Sequence, residues 1–186
     1  DQFSLDGSMS KDYLIQAHWA LYCDNYLEGF HIPFVHEGLN KVLDYGSYTT
    51  ELHKYSSLQI GYSDDANETF DLPKDHIDYG KQVAAYYYWV FPNMMFNFYP
   101  WGLSINVVKP KSPEYTEIDY FTYVWKEELM GKGAGGDLDK VELEDGEIVE
   151  TVQKGVKSRA YDRGRYSPKR EIGVHHFHLL LQEYYK

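Results

Sequence analysis

Two histidines, His31 and His36, stand five positions apart in a short segment that also carries Asn25 and Glu28. Imidazole nitrogens and carboxylate oxygens are common ligands of first-row transition metals. The two imidazoles can converge on one ion if the chain turns between them, and a third ligand must then come from elsewhere. In a chain with eight histidines, roughly 0.3 pairs at this spacing arise by chance. The spacing alone therefore favours two ordinary structural histidines over a metal site.

A helix over residues 19–30 is the element expected to position these histidines. Apolar side chains recur in this segment at steps of three and four residues, as on the buried face of a helix. Pro33 has no backbone N–H and pushes Ile32 out of the helical region, so we predict that it ends the helix. His31 then lies at the helix end, and His36 lies on the following turn or a short helix.

The string DNYLEGFHIPFVH, residues 24–36, resembles the iron-binding segment of the catalytic α-subunits of Rieske non-haem iron oxygenases, the aromatic-ring-hydroxylating family. In that family two histidines and a distant aspartate hold mononuclear iron and leave positions open for O₂. The resemblance implies that His31 and His36 bind Fe(II). It matches Glu28 to the acid that links the ligands to the neighbouring subunit's Rieske histidine, and Asn25 to a residue near the iron. We expect both to contribute to catalysis.

The third ligand is expected in the acidic segment 137–157, whose apolar stripe predicts a second helix. A run of charges is usually a solvated helix face, so we expect most of these acids to be exposed. The resemblance matches Asp145 to the family's aspartate ligand. Gly146 is a poor helix residue, and we predict a local irregularity there that turns the carboxylate inward. The candidates that the segment offers are Glu142, Glu144, Asp145, Glu147 and Glu150.

The string HHFH at residues 175–178 is a competing metal site. His175 and His178 share a face of the predicted C-terminal helix, whereas His176 points elsewhere. The sequence places neither a cysteine nor a third convergent ligand beside them. The pattern therefore favours histidines with a structural role.

Composition and charge narrow the classes of partner. The net charge of −11 argues against nucleic acid, which needs a basic surface. No apolar run reaches membrane-spanning length. Cys23 is the single cysteine and cannot form an internal disulfide, which fits a reducing, cytoplasmic setting.

A Rieske [2Fe–2S] cluster needs two cysteines and two histidines, and one cysteine cannot supply them. We therefore expect the cluster in an N-terminal domain outside this chain. Residues 1–15 are rich in Gly, Ser and Asp without a sustained period, and we predict that they form a linker from that domain. Residues 16–186 are then the catalytic mononuclear-iron domain.

Strand-like runs at residues 84–91, 94–99, 102–109 and 115–125 are joined by short turns, which predicts antiparallel neighbours. Residues 126–136 carry four glycines and predict a loop. The string FPNMMFNFYPWGLSINVVKP resembles the same oxygenase family. The resemblance implies an α+β fold of helix-grip type, like Bet v1 and START domains, in which a twisted antiparallel sheet wraps a long C-terminal helix.

The expected function is hydroxylation of a small organic substrate by O₂ at mononuclear Fe(II), with electrons from the Rieske cluster. The DRGRYSP and HHFH strings and Glu28 resemble the choline and betaine-type monooxygenase branch. The resemblance also implies a ferredoxin or reductase as electron donor and a homotrimer in the full-length protein. Two alternatives stay open on the residues alone: a non-catalytic helix-grip protein that binds an apolar or aromatic ligand, and a zinc hydrolase that uses the same ligands.

Overall fold

One antiparallel sheet of seven strands organises the computed structural model, which describes residues 3–186. The strands lie in the order β1-β7-β6-β5-β4-β3-β2, and every neighbouring pair is antiparallel. The sheet is not closed, because β1 and β2 form its two edges. The strands are β1 (Ser4–Ile15), β2 (Thr49–His53), β3 (Ser56–Tyr62), β4 (Val83–Val90), β5 (Met94–Tyr99), β6 (Gly102–Ser112) and β7 (Tyr115–Val124).

Five α-helices complete the described part of the chain. The predicted α+β class is confirmed, although α4, with 19 residues, is longer than the C-terminal α5, with 13. None of the helices in residues 3–186 is long and apolar enough to cross a membrane. The helices are α1 (Trp19–Tyr26), α2 (Ile32–Val35), α3 (Glu37–Val42), α4 (Leu138–Val156) and α5 (Ile172–Tyr184), and 3₁₀ turns lie at Ala66–Glu68, Glu127–Leu129 and Gly133–Gly135.

The central strands alternate their side chains between two faces, as strands must. On β5, Met95, Asn97 and Tyr99 are buried, while Phe96 and Phe98 lie on the opposite face and are only partly buried. The predicted strands in this part of the chain are therefore confirmed to within a few residues. Asn97 and Tyr99 face the site described below.

Residues 4–15 form strand β1, so the prediction of an irregular connector was wrong for them. Ser4 pairs with Val124 and Ile15 with Thr116 of β7. Most β1 side chains are exposed or partly buried, as expected for a strand at a sheet edge. Hydrogen bonding to β7 outweighs the weak strand preference of Gly, Ser and Asp. A role for residues 1–15 as the linker from a Rieske domain stays a prediction, and residues 1 and 2 lie outside the described part.

Helix α1 ends at Tyr26, four residues earlier than predicted. The backbone N–H of Leu27 donates to the carbonyl oxygens of Cys23 and Asp24 and closes the last turn. Pro33 does not end a helix either. It lies in the first turn of α2, where a missing N–H has no cost because that N–H has no partner within the helix.

The buried core fixes α1 and α5 against the sheet. Phe177 of α5 is fully buried and contacts Trp89 of β4 edge-to-face, with ring centroids 5.2 Å apart. Tyr22 of α1 shares a hydrogen bond of 2.6 Å with the hydroxyl of Tyr120 on β7. The segment that follows α1 therefore starts from a rigid position.

Candidate metal centre

The predicted histidine pair converges in the structure. His31 lies immediately before α2 and His36 immediately after it, so this single helical turn brings both rings to the same side. Their Nε2 atoms are 3.2 Å apart. His36 is 1% exposed, and the side chain of His31 is 16% exposed.

Asp145 of α4 supplies a carboxylate at the same point. Its Oδ1 lies 3.0 Å from Nε2 of His36 and 3.6 Å from Nε2 of His31. Within residues 3–186, these three residues are the one group of His, Cys, Asp or Glu side chains that places three potential metal ligand atoms within 4.8 Å of one another. The structure thus brings together the three residues that the sequence proposed as ligands.

A carboxylate holds the outer nitrogen of each histidine. Nδ1 of His31 lies 2.6 Å from Oε1 of Glu28, and Nδ1 of His36 lies 2.8 Å from Oε2 of Glu144. An ionised carboxylate only accepts hydrogen bonds, so each Nδ1 carries the proton. Both Nε2 lone pairs are then directed at the common centre. Metal-binding histidines in proteins are usually fixed in this way.

The donor atoms fit a single metal ion. Two nitrogen lone pairs and a carboxylate oxygen repel one another at these separations unless a metal ion, or a proton on one of the nitrogens, lies between them. Ligands about 2.1 Å from one ion at right angles lie about 3 Å apart, which is close to the observed 3.0–3.6 Å. Two histidines and one carboxylate are typical of non-haem Fe(II) sites that keep coordination positions open.

The pKa of His36 is raised above its ordinary value. Burial by itself would lower that pKa, but the hydrogen bonds and charges of Asp145 and Glu144 outweigh it. Without a metal, the ring therefore favours holding a second proton between Asp145 and Glu144. Metal binding must displace that proton, which couples the affinity to pH.

Glu28 and Asn25, the two residues expected to contribute to catalysis, contact the candidate ligands. Oε2 of Glu28 also accepts the backbone N–H of Phe30 and, at 3.1 Å, that of His31. The carboxylate therefore fixes both the ring of His31 and the turn that carries it. Asn25 donates from Nδ2 to Oδ1 of Asp145 at 2.6 Å. Both are placed to position the ligands.

Sequence reasoning offered Glu144 and Glu142 only as alternative third ligands in a mostly solvated run of acids, and it missed the contacts that the structure gives them. Glu144 bonds to His36, and Glu142 lines a cavity beside the centre. Glu142 lies three residues before Asp145, and this i, i+3 spacing on a helix was a signal that the two share a face. No comparable signal existed for Glu144, because its partner lies on a different element.

The predicted irregularity at Gly146 was wrong. Helix α4 runs without a break through this residue, which is buried. A Cβ at Gly146 would lie 3.4 Å from Cγ2 of Ile15. The glycine therefore lets α4 pack closely on β1, while ordinary helix geometry directs Asp145 inward.

A cavity of about 80 Å³ adjoins the three candidate ligands. Five tyrosines form much of its wall: Tyr22, Tyr26, Tyr48, Tyr87 and Tyr99. Leu39, Ala134 and Val141 line both this cavity and an outer cleft of about 720 Å³. Ala134 belongs to the predicted glycine-rich loop, so that loop forms part of the partition between the two spaces.

Two histidines of the HHFH string, His175 and His178, have structural partners, whereas Nε2 of His176 is buried without a hydrogen-bond partner among the described residues. Nε2 of His178 lies 2.8 Å from Oδ1 of Asp24, and its Nδ1 lies 2.5 Å from the hydroxyl of Tyr166. The ring of His175 packs edge-on against Tyr166. These contacts tie α5 to α1 and to the preceding loop.

Nearly the whole chain matches the model of one known protein family. The family model described as "Ring hydroxylating alpha subunit (catalytic domain)" matches residues 3–186. The chain belongs to this family. The resemblance found in the sequence is therefore confirmed. The family assigns this chain to the catalytic domains of Rieske non-haem iron oxygenases, which supports the enzyme over the non-catalytic carrier.

Similar proteins include choline and carnitine oxygenases. The chain is 37% identical over 179 residues to the chloroplastic choline monooxygenase of Arabidopsis thaliana. The aligned residues make up 92% of this chain and 40% of that protein. It is 31% identical over 182 residues to the carnitine monooxygenase oxygenase subunit of Escherichia coli strain K12. That alignment covers 91% of this chain and 47% of the subunit. The chain thus spans less than half the length of these relatives.

Solved structures share the fold. A quaternary ammonium Rieske monooxygenase in complex with gamma-butyrobetaine matches with a TM-score of 0.70 at 24% identity, over 100% of this chain and 49% of that one. Naphthalene 1,2-dioxygenase from Rhodococcus sp. matches with a TM-score of 0.70 at 14% identity, over 97% and 56%. The sheet and helices described above are therefore those of oxygenase catalytic domains.

Proposed function

We propose that this chain hydroxylates a small organic substrate with O₂ at one Fe(II) held by His31, His36 and Asp145. One observation carries the proposal: three donor atoms converge, and the outer nitrogen of each histidine is fixed by a carboxylate. Iron bound there would supply O₂ activation at its open coordination positions. The residues of the chain have to bind and orient the substrate and exclude water around it.

Three polar residues do the orienting. Glu28 and Glu144 hold the two imidazoles in the tautomer that presents Nε2 to the centre. The amide of Asn25 holds the carboxylate of Asp145. Ligands fixed in this way do not have to reorganise when a metal or substrate arrives, which favours catalysis.

Electrons must come from outside the chain. Hydroxylation places one oxygen atom of O₂ in a C–H bond and reduces the other to water with two electrons and two protons. We propose that they arrive from a Rieske [2Fe–2S] cluster, reduced by a ferredoxin or reductase, in a neighbouring subunit of a homotrimer. Glu28 supports this route because its side chain is 12% exposed, touches His31 and lies next to the exposed Phe30.

The substrate class follows from the relatives and the cavity. Two relatives are a choline monooxygenase and a carnitine monooxygenase subunit, and one similar structure is a quaternary ammonium monooxygenase in complex with gamma-butyrobetaine. Tyrosine faces attract such cations through their π electrons, and five tyrosines line the cavity. We propose a quaternary ammonium compound as the substrate.

The test uses the purified chain loaded anaerobically with Fe(II) and incubated with choline. Hydrogen peroxide is O₂ already reduced by two electrons, so it replaces both the oxidant and the missing electron source. We expect an oxidised product with peroxide and no steady turnover with O₂, NAD(P)H and a reductase. A zinc-loaded sample is the control and should give no product. If none of choline, carnitine and gamma-butyrobetaine gives a product with the iron-loaded chain and peroxide, the proposal is contradicted.

A further inference from the structure

The carboxyl group of Glu142 lies in the wall of the tyrosine-lined cavity without a partner. It is partly buried, and its carboxylate makes no hydrogen bond or ion pair within residues 3–186. The two other acids in this wall are both engaged: Glu28 with His31, and Asp145 with His36 and Asn25. Glu142 is therefore the acid of the cavity that is available to a ligand.

A second acceptor in the cavity is also unsatisfied. Gln59 is 1% exposed, and its Nε2 donates to the backbone oxygen of Tyr26 at 2.6 Å. Its Oε1 is buried and has no hydrogen-bond partner in the described part of the chain. A buried acceptor without a donor is costly and rare, so Oε1 of Gln59 calls for a hydrogen-bond donor. The unpaired carboxylate of Glu142 calls for a positive charge.

Within residues 3–186, no Lys or Arg forms an ion pair with Glu142. Among the described residues that line the cavity, none is Lys or Arg. Lys11 influences Glu142 from a distance, but its ammonium group is already paired with Asp139. Burial and the nearby charges of Asp139 and Asp145, opposed by Lys11, raise the pKa of Glu142 to about 8. The group therefore favours a proton until a cation replaces it.

We propose that Glu142 determines specificity by pairing with the positive head of a quaternary ammonium alcohol, so that the cavity selects this monocation over its neutral isostere and over a zwitterion. The tyrosine faces alone would attract any quaternary ammonium group. A carboxylate on the ligand would meet Glu142 and Asp145 and find no Lys or Arg among the described lining residues. The hydroxyl of the alcohol matches the free Oε1 of Gln59. This inference rests on the quaternary ammonium substrate proposed above.

The test measures binding by isothermal titration calorimetry on the metal-free chain at pH 8.5. The probes are choline, its neutral isostere 3,3-dimethyl-1-butanol, and L-carnitine. We expect the parent chain to bind choline at least tenfold more tightly than either other probe. In Glu142→Gln, which keeps the size and shape of the side chain, the preference for choline over the neutral isostere should fall to less than threefold. Glu147→Gln, an exposed change on the same helix, should behave like the parent.

Three results would overturn the inference: equal affinity of the parent for choline and the neutral alcohol, equal affinity for choline and carnitine, or an intact preference in Glu142→Gln. Iron stoichiometry measured on separate aliquots of the same preparations, loaded anaerobically with Fe(II), keeps this test distinct from that of the proposed function. If the parent binds iron but does not prefer choline over the neutral alcohol, only the role of Glu142 is refuted and the proposed function stands. A parent with charge selection that binds no iron refutes the oxygenase site and leaves the role of Glu142 in place.

Discussion

Oε2 of Glu144 lies 2.8 Å from Nδ1 of His36, a histidine that is almost fully buried. The contact joins α4 to the turn between α2 and α3, and it sets which nitrogen of His36 faces Asp145. Glu144 directly precedes Asp145, so one helix supplies both a candidate ligand and the group that orients another. The sequence offered Glu144 as one of five candidate ligands in a mostly solvated run, and in the structure it is instead the hydrogen-bond partner of His36.

Replacing Glu144 with Ala should weaken iron binding by about 10- to 100-fold, the range typical for loss of a carboxylate that orients a metal-binding histidine. Without the acceptor, His36 can move its proton to Nε2 and lose its free lone pair. The measurement is an anaerobic Fe(II) titration against a competing chelator, with the exposed Glu147→Ala as the matched control. Equal Fe(II) affinity in Glu144→Ala and the parent would remove Glu144 from the site.

Glu28→Gln tests the proposed path of the electrons. In the full-length protein the change keeps the shape of the side chain but removes its negative charge and one acceptor. We expect much slower electron transfer from the Rieske cluster to the iron, followed by stopped-flow absorbance of the cluster, at unchanged iron content. Glu37→Gln, on a highly exposed side chain, is the control. A normal transfer rate in Glu28→Gln would reduce Glu28 to an ordinary positioning residue.

Glu142 should make the stability of the metal-free chain fall as pH rises. Its pKa is about 8 in the folded chain, above the ordinary value of about 4.3 expected when unfolded. The native state therefore holds more protons in this window, and the free energy of unfolding decreases from about pH 5 through pH 8. Chemical denaturation of Glu142→Gln at several pH values should show a flatter profile than the parent. An unchanged profile would show that Glu142 is ionised in the folded chain.

Gly135 tests how tightly the loop between β7 and α4 packs on the cavity wall. A Cβ at this position would lie 2.5 Å from Nε1 of Trp101 and 2.7 Å from Cγ of Tyr99. Gly135→Ala should destabilise the chain by roughly 1–3 kcal/mol, as overpacking of a core does. At Gly155 a Cβ meets nothing within 4 Å, so Gly155→Ala should stabilise the helix by up to about 1 kcal/mol. Thermal unfolding of both variants measures the difference. Equal shifts of the melting temperature in the two variants would contradict this packing.

The sequence predicted the sheet well because strand signals are local. Alternation and turn residues located β4, β5 and β7 to within a few residues. It failed at β1, where pairing with β7 overrides a polar composition, and at Pro33, where a short helix starts from a turn fixed by Glu28. The three candidate ligands were found only through the resemblance to a family. The contacts of Glu144 and Glu142 arise where separate elements meet, which local patterns do not encode.

The iron content of Asp145→Ala tests most directly whether His31, His36 and Asp145 bind one metal ion. The chain is loaded with Fe(II) anaerobically, desalted, and analysed for iron per chain, with circular dichroism as a check that the fold is intact. We predict close to one iron in the parent and in Glu147→Ala, and little in Asp145→Ala. Equal iron in Asp145→Ala and the parent would contradict the assignment of His31, His36 and Asp145 as the metal site.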